Sequence, residues 1–208
     1  MIDKFLEVLN LISLEVLGLF IIFFCISFFW KKIFWSFSLK TYNSKQRLHK
    51  NEIPRIGGII IYLFLTLLAL FAIKSYLLNL ILLSAIPIII IGSKEDLFHN
   101  TSPKLRLIGM VLSAFIFIYF LPSNLPEIDF PILNLVLTFS VTKIIFFIFS
   151  ILVIINGNNL IDGVNGNMAL SNIAQLSVIA LLAMTFNDSQ IIKLCFILLI
   201  PLIIFLIF

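Results

Sequence analysis

SYLLNLILLSAIPIIIIG, residues 75–92, runs for eighteen residues without a charge and is followed at once by SKED, residues 93–96. A helix crossing the hydrocarbon core of a bilayer needs about 20 mostly apolar residues, and this run meets that need. An uninterrupted apolar run does not fit the alternation of a barrel strand. An α-helix is then the element that satisfies its own backbone in lipid. Comparable runs occupy about residues 8–30, 56–73, 105–121, 142–160, 168–186 and 191–208. The expected fold is therefore all-α: a polytopic transmembrane helical bundle of about seven spans, forming a single domain over residues 1–208.

Composition agrees. Of the 208 residues, 62% are hydrophobic and 12% are charged, where a soluble domain is about half apolar and about a quarter charged. Too little polar surface remains to coat a water-soluble particle, which excludes a soluble enzyme, a secreted disulfide scaffold and a disordered chain. Cys25 and Cys195 both lie in apolar runs and read as small buried hydrophobes. The first run is too long for a signal peptide and no A-x-A cleavage site accompanies it, so it reads as a retained signal anchor.

Charge sets the orientation. Residues 31–55 hold seven cations against Glu52 alone, a net +6 in a chain whose total is +4. A basic block flanked by apolar spans reads as a cytoplasmic loop rather than a nucleic-acid surface. That loop inside places the amino terminus outside, and alternation then puts the loops at about 93–104 and 161–167 inside as well. Lys94 and Lys104 fall inside, while Glu127 and Asp129 fall outside with no basic residue beside them. The last apolar run is still open at Phe208, from which the chain is expected to be a fragment of something longer.

Three polar segments map to the predicted cytoplasmic side. They hold six of the eight glycines, both histidines and four of the ten acids. The first is RLHKNEIPRIGG, Arg47 to Gly58, where Pro54 sets a bend, Gly57 and Gly58 allow close backbone approach, and Arg47, Lys50 and Arg55 suit phosphate. Its basic residues taken alone read rather as a positive-inside anchor. The second is GSKEDLFHNTSPKLRL, Gly92 to Leu107. Its adjacent carboxylates Glu95 and Asp96 repel unless a cation lies near, and Mg²⁺ favours one or two carboxylates plus substrate phosphates; taken alone they read equally as ordinary surface acids opening a solvated loop. His99, a lone loop histidine, reads as solvated. The third is NGNNLIDGVNGN, Asn156 to Asn167. Here Asn156, Asn159, Asp162 and Asn165 recur every three residues, drifting about 60° per step on a helix, with Gly163 and Gly166 loosening it so that the polar groups converge. A plain hairpin between spans needs one or two such residues, not four. Three acids, several cations and glycine-rich turns facing one compartment have the composition of a Mg²⁺–diphosphate site at a membrane surface.

Together, basic-H-K-x(3)-P-x(2)-G-G, an acidic pair followed by S-P-x-x-R-L, and N-x(2)-N-x(2)-D-G-x-[DN]-G resemble the polyprenyl-phosphate sugar-1-phosphate transferase superfamily, of the glycosyltransferase family 4 type. The resemblance covers about residues 8–208, the amino-terminal two-thirds of a member with ten or eleven spans. It implies that a polyprenyl (undecaprenyl) phosphate attacks the β-phosphate of a UDP-N-acetylhexosamine-type donor and that UMP is released. The reaction would start an O-antigen-like surface polysaccharide or peptidoglycan. Mg²⁺, replaceable by Mn²⁺, would neutralise the diphosphate. The resemblance further implies a bacterial plasma (inner) membrane enzyme with its site on the cytoplasmic face. The expected partners are polyprenyl phosphate, a UDP-sugar and membrane lipid, with a second copy of the chain as the one protein partner and no nucleic acid.

The catalytic residues it implies are Glu95 and Asp96, the acidic pair, with Asp96 the base-like member, and Asp162, which would hold the metal, joined there by Asp96. Glu95 stands where Asp is usual, and Asn165 where many members carry Asp. Asn156, Asn159 and Asn165 would line the substrate site. Arg47, His49, Lys50, Pro54, Gly57 and Gly58 would form the first loop near phosphates, and Lys104 and Arg106 would contact nucleotide or lipid phosphate. A late histidine-rich cytoplasmic loop, which members use for the sugar nucleotide, has no counterpart after Gly166. Two alternatives stand beside this reading: a non-catalytic remnant or assembly partner, and a transporter. The transporter would want polar residues near the midplane in inverted repeats, and Glu15 and Lys143 are the only candidates for such a site within the spans.

Overall fold

The computed structural model describes residues 20, 21, 23, 24, 57–98, 101–122, 125–128, 130, 133, 137–161 and 166–207. Among these, six helices follow in order: α1 Gly57–Phe71, α2 Tyr76–Phe98, α3 Pro103–Tyr119, α4 Ser140–Ile161, α5 Asn167–Thr185 and α6 Ser189–Ile207. No strand occurs among the described residues. Four helices are long and apolar enough to cross a membrane, within α2, α4, α5 and α6. The shorter α1 and α3 have 15 and 17 residues, about 22 and 25 Å of rise. Of the expected first span, residues 20, 21, 23 and 24 are helical, and the rest lies outside the described residues.

The helix ends follow from local chemistry. Ser75 precedes α2, and its hydroxyl accepts from the Leu78 N–H at 3.3 Å, an N-cap that satisfies one of the orphan amides of a first turn. Ser102 does the same for α3, accepting from the Leu105 N–H, with Pro103 at the first helical position. Between α5 and α6, Asn187 adopts φ 58°. The Asp188 N–H reaches the Ala183 carbonyl at 2.9 Å and the Asn187 N–H reaches that of Met184 at 3.3 Å. That is a complete Schellman closure with Asn in the left-handed position. Asp188 then caps α6 by accepting from the amides of Gln190 and Ile191, both at 3.1 Å.

Two groupings of helices are distinct: residues 75–160, and residues 1–74 with 161–208. In the first, α2 and α3 form an antiparallel hairpin. Gly109 lets the backbones close up, since a Cβ there would come 2.5 Å from Ile91 Cδ1. Met110, Ser113 and Ala114 are buried beside it. At the far end Tyr76 Oη donates to the Phe120 carbonyl at 2.8 Å. The span of α4 buries none of its residues, and Val141, Ile145, Phe149 and Val153 stand exposed at every fourth position, a stripe suited to lipid. In the second grouping α5 packs on α6 through buried Ala169, Ala180 and Ala183. Small residues allow the close approach that drives helix association in lipid. Phe64 of α1 stacks on Phe23 with ring centroids 4.2 Å apart.

One boundary differs from expectation. The third predicted span was to end at residue 92 and release its acids into a loop at 93–104; instead α2 continues six residues further, to Phe98. Lys, Glu and Leu are good helix formers, and nothing in residues 93–98 stops the helix. The fifth span, expected over 142–160, runs through Gly157 and Asn159 to Ile161 as expected, since one glycine costs a helix only about 1 kcal/mol.

Candidate functional site

Extending α2 changes what the acidic pair is. Glu95 and Asp96 are half-buried residues in the final turn of a helix, not members of a loop. There the helix dipole disfavours them by about 0.3–1 kcal/mol each. Across the turn, Lys104 and Arg106 lie exposed in the first turn of α3, which holds no acid and where the dipole disfavours cations equally. Four charges thus sit at helix ends of the wrong polarity. Stability does not account for such a placement, and departures of this kind collect at functional sites. The exposed first turn of α3, with its amides and two cations, has the chemistry of a phosphate-binding element.

The turn itself is closed by Glu95. Its Oε2 accepts from the Thr101 N–H at 2.9 Å and from the Thr101 hydroxyl. Thr101 is buried, at 8% exposure, although it lies between two polar helix ends. Thr101 was absent from the residues singled out in the sequence. The available signal was a Glu where the resemblance expects Asp, with a hydroxyl residue six positions on.

Asn156 and Asn159 both lie exposed on the last turns of α4, one step of three apart and so about 60° apart around it. A side chain at Gly157 would meet nothing within 4 Å. Asp162, Gly163 and Asn165, and Arg47, His49, Lys50 and Pro54, lie outside the described residues, as do Arg55 and His99.

In the other grouping the structure draws parts of two motifs together. A Cβ on Gly57 would come 2.3 Å from Phe205 Cε2, and one on Gly166, which has φ 73°, would come 2.9 Å from Leu206 Cδ2. The beginnings of α1 and α5 therefore meet the same end of α6. Gly58, by contrast, has nothing within 4 Å, so the close approach expected of the glycine pair belongs to Gly57 alone, and what approaches it is the Phe205 ring. Between α1, α5 and α6 lies a cavity of about 300 Å³, lined among others by Leu65, Leu176 and Leu202 and by the amides Asn172 and Gln175.

No three His, Cys, Asp or Glu side chains converge as a metal-binding group among the described residues. Asp96 contributes carboxylate oxygens, the type Mg²⁺ takes when substrate phosphates complete its shell.

Residues 78–208, well over half of the chain, match the family model described as Glycosyl transferase family 4. The matched stretch contains the acidic pair, Lys104, Arg106 and the whole of the third motif, and excludes the first. No curated protein and no solved structure matches the chain.

Proposed function

The chain belongs to glycosyl transferase family 4, and from that membership we propose that it transfers a sugar-1-phosphate from a UDP-N-acetylhexosamine-type donor to a polyprenyl phosphate, releasing UMP. The observation that carries this reading is the family match, because the matched residues include both charged turns. In the proposed reaction an oxygen of the lipid phosphate attacks the phosphorus joined to the sugar. The bond from that phosphorus to the bridging oxygen breaks, and the bridging oxygen departs with UMP.

The residues divide the work by chemistry. Asp96 takes the base-like role, keeping the attacking lipid phosphate deprotonated. Lys104 and Arg106, in the exposed first turn of α3, hold phosphate oxygens. Asp162, with Asp96, would hold Mg²⁺, which when bound supplies neutralising charge on the diphosphate. Asn156, Asn159 and Asn165 orient the donor by hydrogen bonds. Arg47 and Lys50 would bring further positive charge near the phosphates, with His49, on the loop shaped by Pro54, Gly57 and Gly58. The net +6 of residues 31–55 supports a cytoplasmic-facing site in a bacterial plasma membrane.

The test is direct: the protein in lipid nanodiscs, undecaprenyl phosphate, UDP-GlcNAc and Mg²⁺, with UMP measured over time. Release of UMP that depends on the lipid phosphate is expected, and Asp162→Asn should lower it at least about 100-fold, as loss of a charge-stabilising group does. Unchanged turnover in Asp162→Asn would remove the metal assignment. No UMP with any UDP-sugar would remove the function.

A further inference from the structure

We propose that Glu95 is a positioning residue: it clasps Thr101 and so sets the turn that presents Asp96, Lys104 and Arg106. This deepens the transferase reading and rests on it. The clasp is carried by geometry. Both the N–H and the hydroxyl of Thr101 donate to the same oxygen, Glu95 Oε2, and these two donors fill the two lone-pair directions that a carboxylate oxygen offers. Thr101 is buried, so water cannot replace the acceptor if Glu95 turns to a substrate or a cation. Moving the carboxylate would strand two buried donors, a penalty that keeps it where it is.

The leverage comes from what lies on either side. Asp96 follows Glu95 directly and lies about 100° round the helix from it. Thr101 directly precedes Ser102, the N-cap of α3, so the position of Thr101 sets the entry of that helix. Lys104 and Arg106 are two and four residues beyond the cap. One carboxylate thus ties the end of the acidic helix to the start of the basic one. Of two adjacent acids, the first holds the turn and the second faces the chemistry.

Side-chain length separates this role from a catalytic one. Glu95→Gln keeps the reach and an acceptor oxygen, while Glu95→Asp keeps the charge and loses a methylene of reach. A positioning role ranks Gln above Asp, and a catalytic or metal-holding carboxylate ranks Asp above Gln. In the UMP assay with the full chain, Glu95→Gln is expected to fall about threefold, because a neutral acceptor bonds less strongly than a charged one. Glu95→Asp should fall about tenfold or more, leaving the buried donors of Thr101 unmet, and Thr101→Val should fall severalfold, losing one of the two bonds of the clasp. Thr101→Ser, which restores the hydroxyl, should recover activity to near wild type. The reverse order, with Asp active and Gln dead, would overturn the proposal.

Amide exchange reads the same contact without turnover. The Thr101 N–H should be protected in wild type and Glu95→Gln and should exchange at least about tenfold faster in Glu95→Ala, having lost its acceptor. Equal protection in Glu95→Ala would overturn the clasp. If wild type releases no UMP, the transferase reading falls by itself, and the clasp stands or falls on the exchange result.

Discussion

Gly57 shows the close approach that its sequence leads one to expect, made by a side chain of the protein itself. Its neighbour Pro54 and its pairing with Gly58 make it look like a backbone kept bare for a substrate. What approaches it is the Phe205 ring, at 2.3 Å from where a Cβ would stand. Gly57→Ala should therefore act on stability, costing about 1–3 kcal/mol as overpacking does. The double variant with Phe205→Ala should recover part of that loss, since the two changes share one contact. Thermal unfolding of the detergent-solubilised protein checks both. Additive losses would show that Gly57 and Phe205 do not meet. At the same scale, Glu95 departs from the Asp that the resemblance leads one to expect, and the departure has a partner in Thr101. The acidic pair was visible from two adjacent letters. The partner was not, because it lies six residues on.

At the scale of elements, the helices formed where unbroken apolar runs require them, and their ends formed where capping chemistry allows. The expected runs at 142–160, 168–186 and 191–208 became Ser140–Ile161, Asn167–Thr185 and Ser189–Ile207. The α5–α6 turn depends on Asn187 at φ 58° and on Asp188 as a cap. Asn187→Gly should be neutral or stabilising, whereas Asn187→Val should cost about 1–3 kcal/mol, since a β-branched residue is strained in the left-handed region. Asp188→Ala should cost about 1 kcal/mol through the lost cap. Equilibrium unfolding of the three variants checks the order. A Val variant as stable as wild type would mean that the turn does not hold this conformation. The α2 boundary was misplaced by six residues because a charged, helix-favouring stretch leaves no mark in sequence that distinguishes a helix end from a loop. The mark is the Ser102–Pro103 start of the next helix.

Across the whole molecule, the claim is that charged turns and loops share one side. The orientation proposed from the basic 31–55 segment places residues 99 and 164 on the cytoplasmic side. Single cysteines in a background lacking Cys25 and Cys195, His99→Cys and Val164→Cys, should react with a membrane-impermeant maleimide only when the cytoplasmic face is opened to it. Labelling of intact cells at these positions would invert the orientation. Excess chelator should abolish UMP release and restored Mg²⁺ should return it. Turnover that persists in chelator would exclude a divalent cation from the reaction.

Membership of a membrane transferase family, the all-helical class and the order of the helices were determined by sequence alone. The reason is local. A run of some 20 apolar residues must be helical in lipid whatever surrounds it, and the charged motifs interrupt such runs at sites that cost stability. What the described side chains at those motifs touch was decided only by tertiary structure. Thr101 became part of the turn because α2 extends to Phe98 and folds back on α3. Gly57 and Gly166 came to the same end of α6 because apolar faces of distant segments packed together. Helices in lipid gain nothing from hiding apolar surface from one another. Which of them touch is settled by small residues, ring contacts and a few polar clasps, and those matches depend on shape and distance rather than on spacing along the chain.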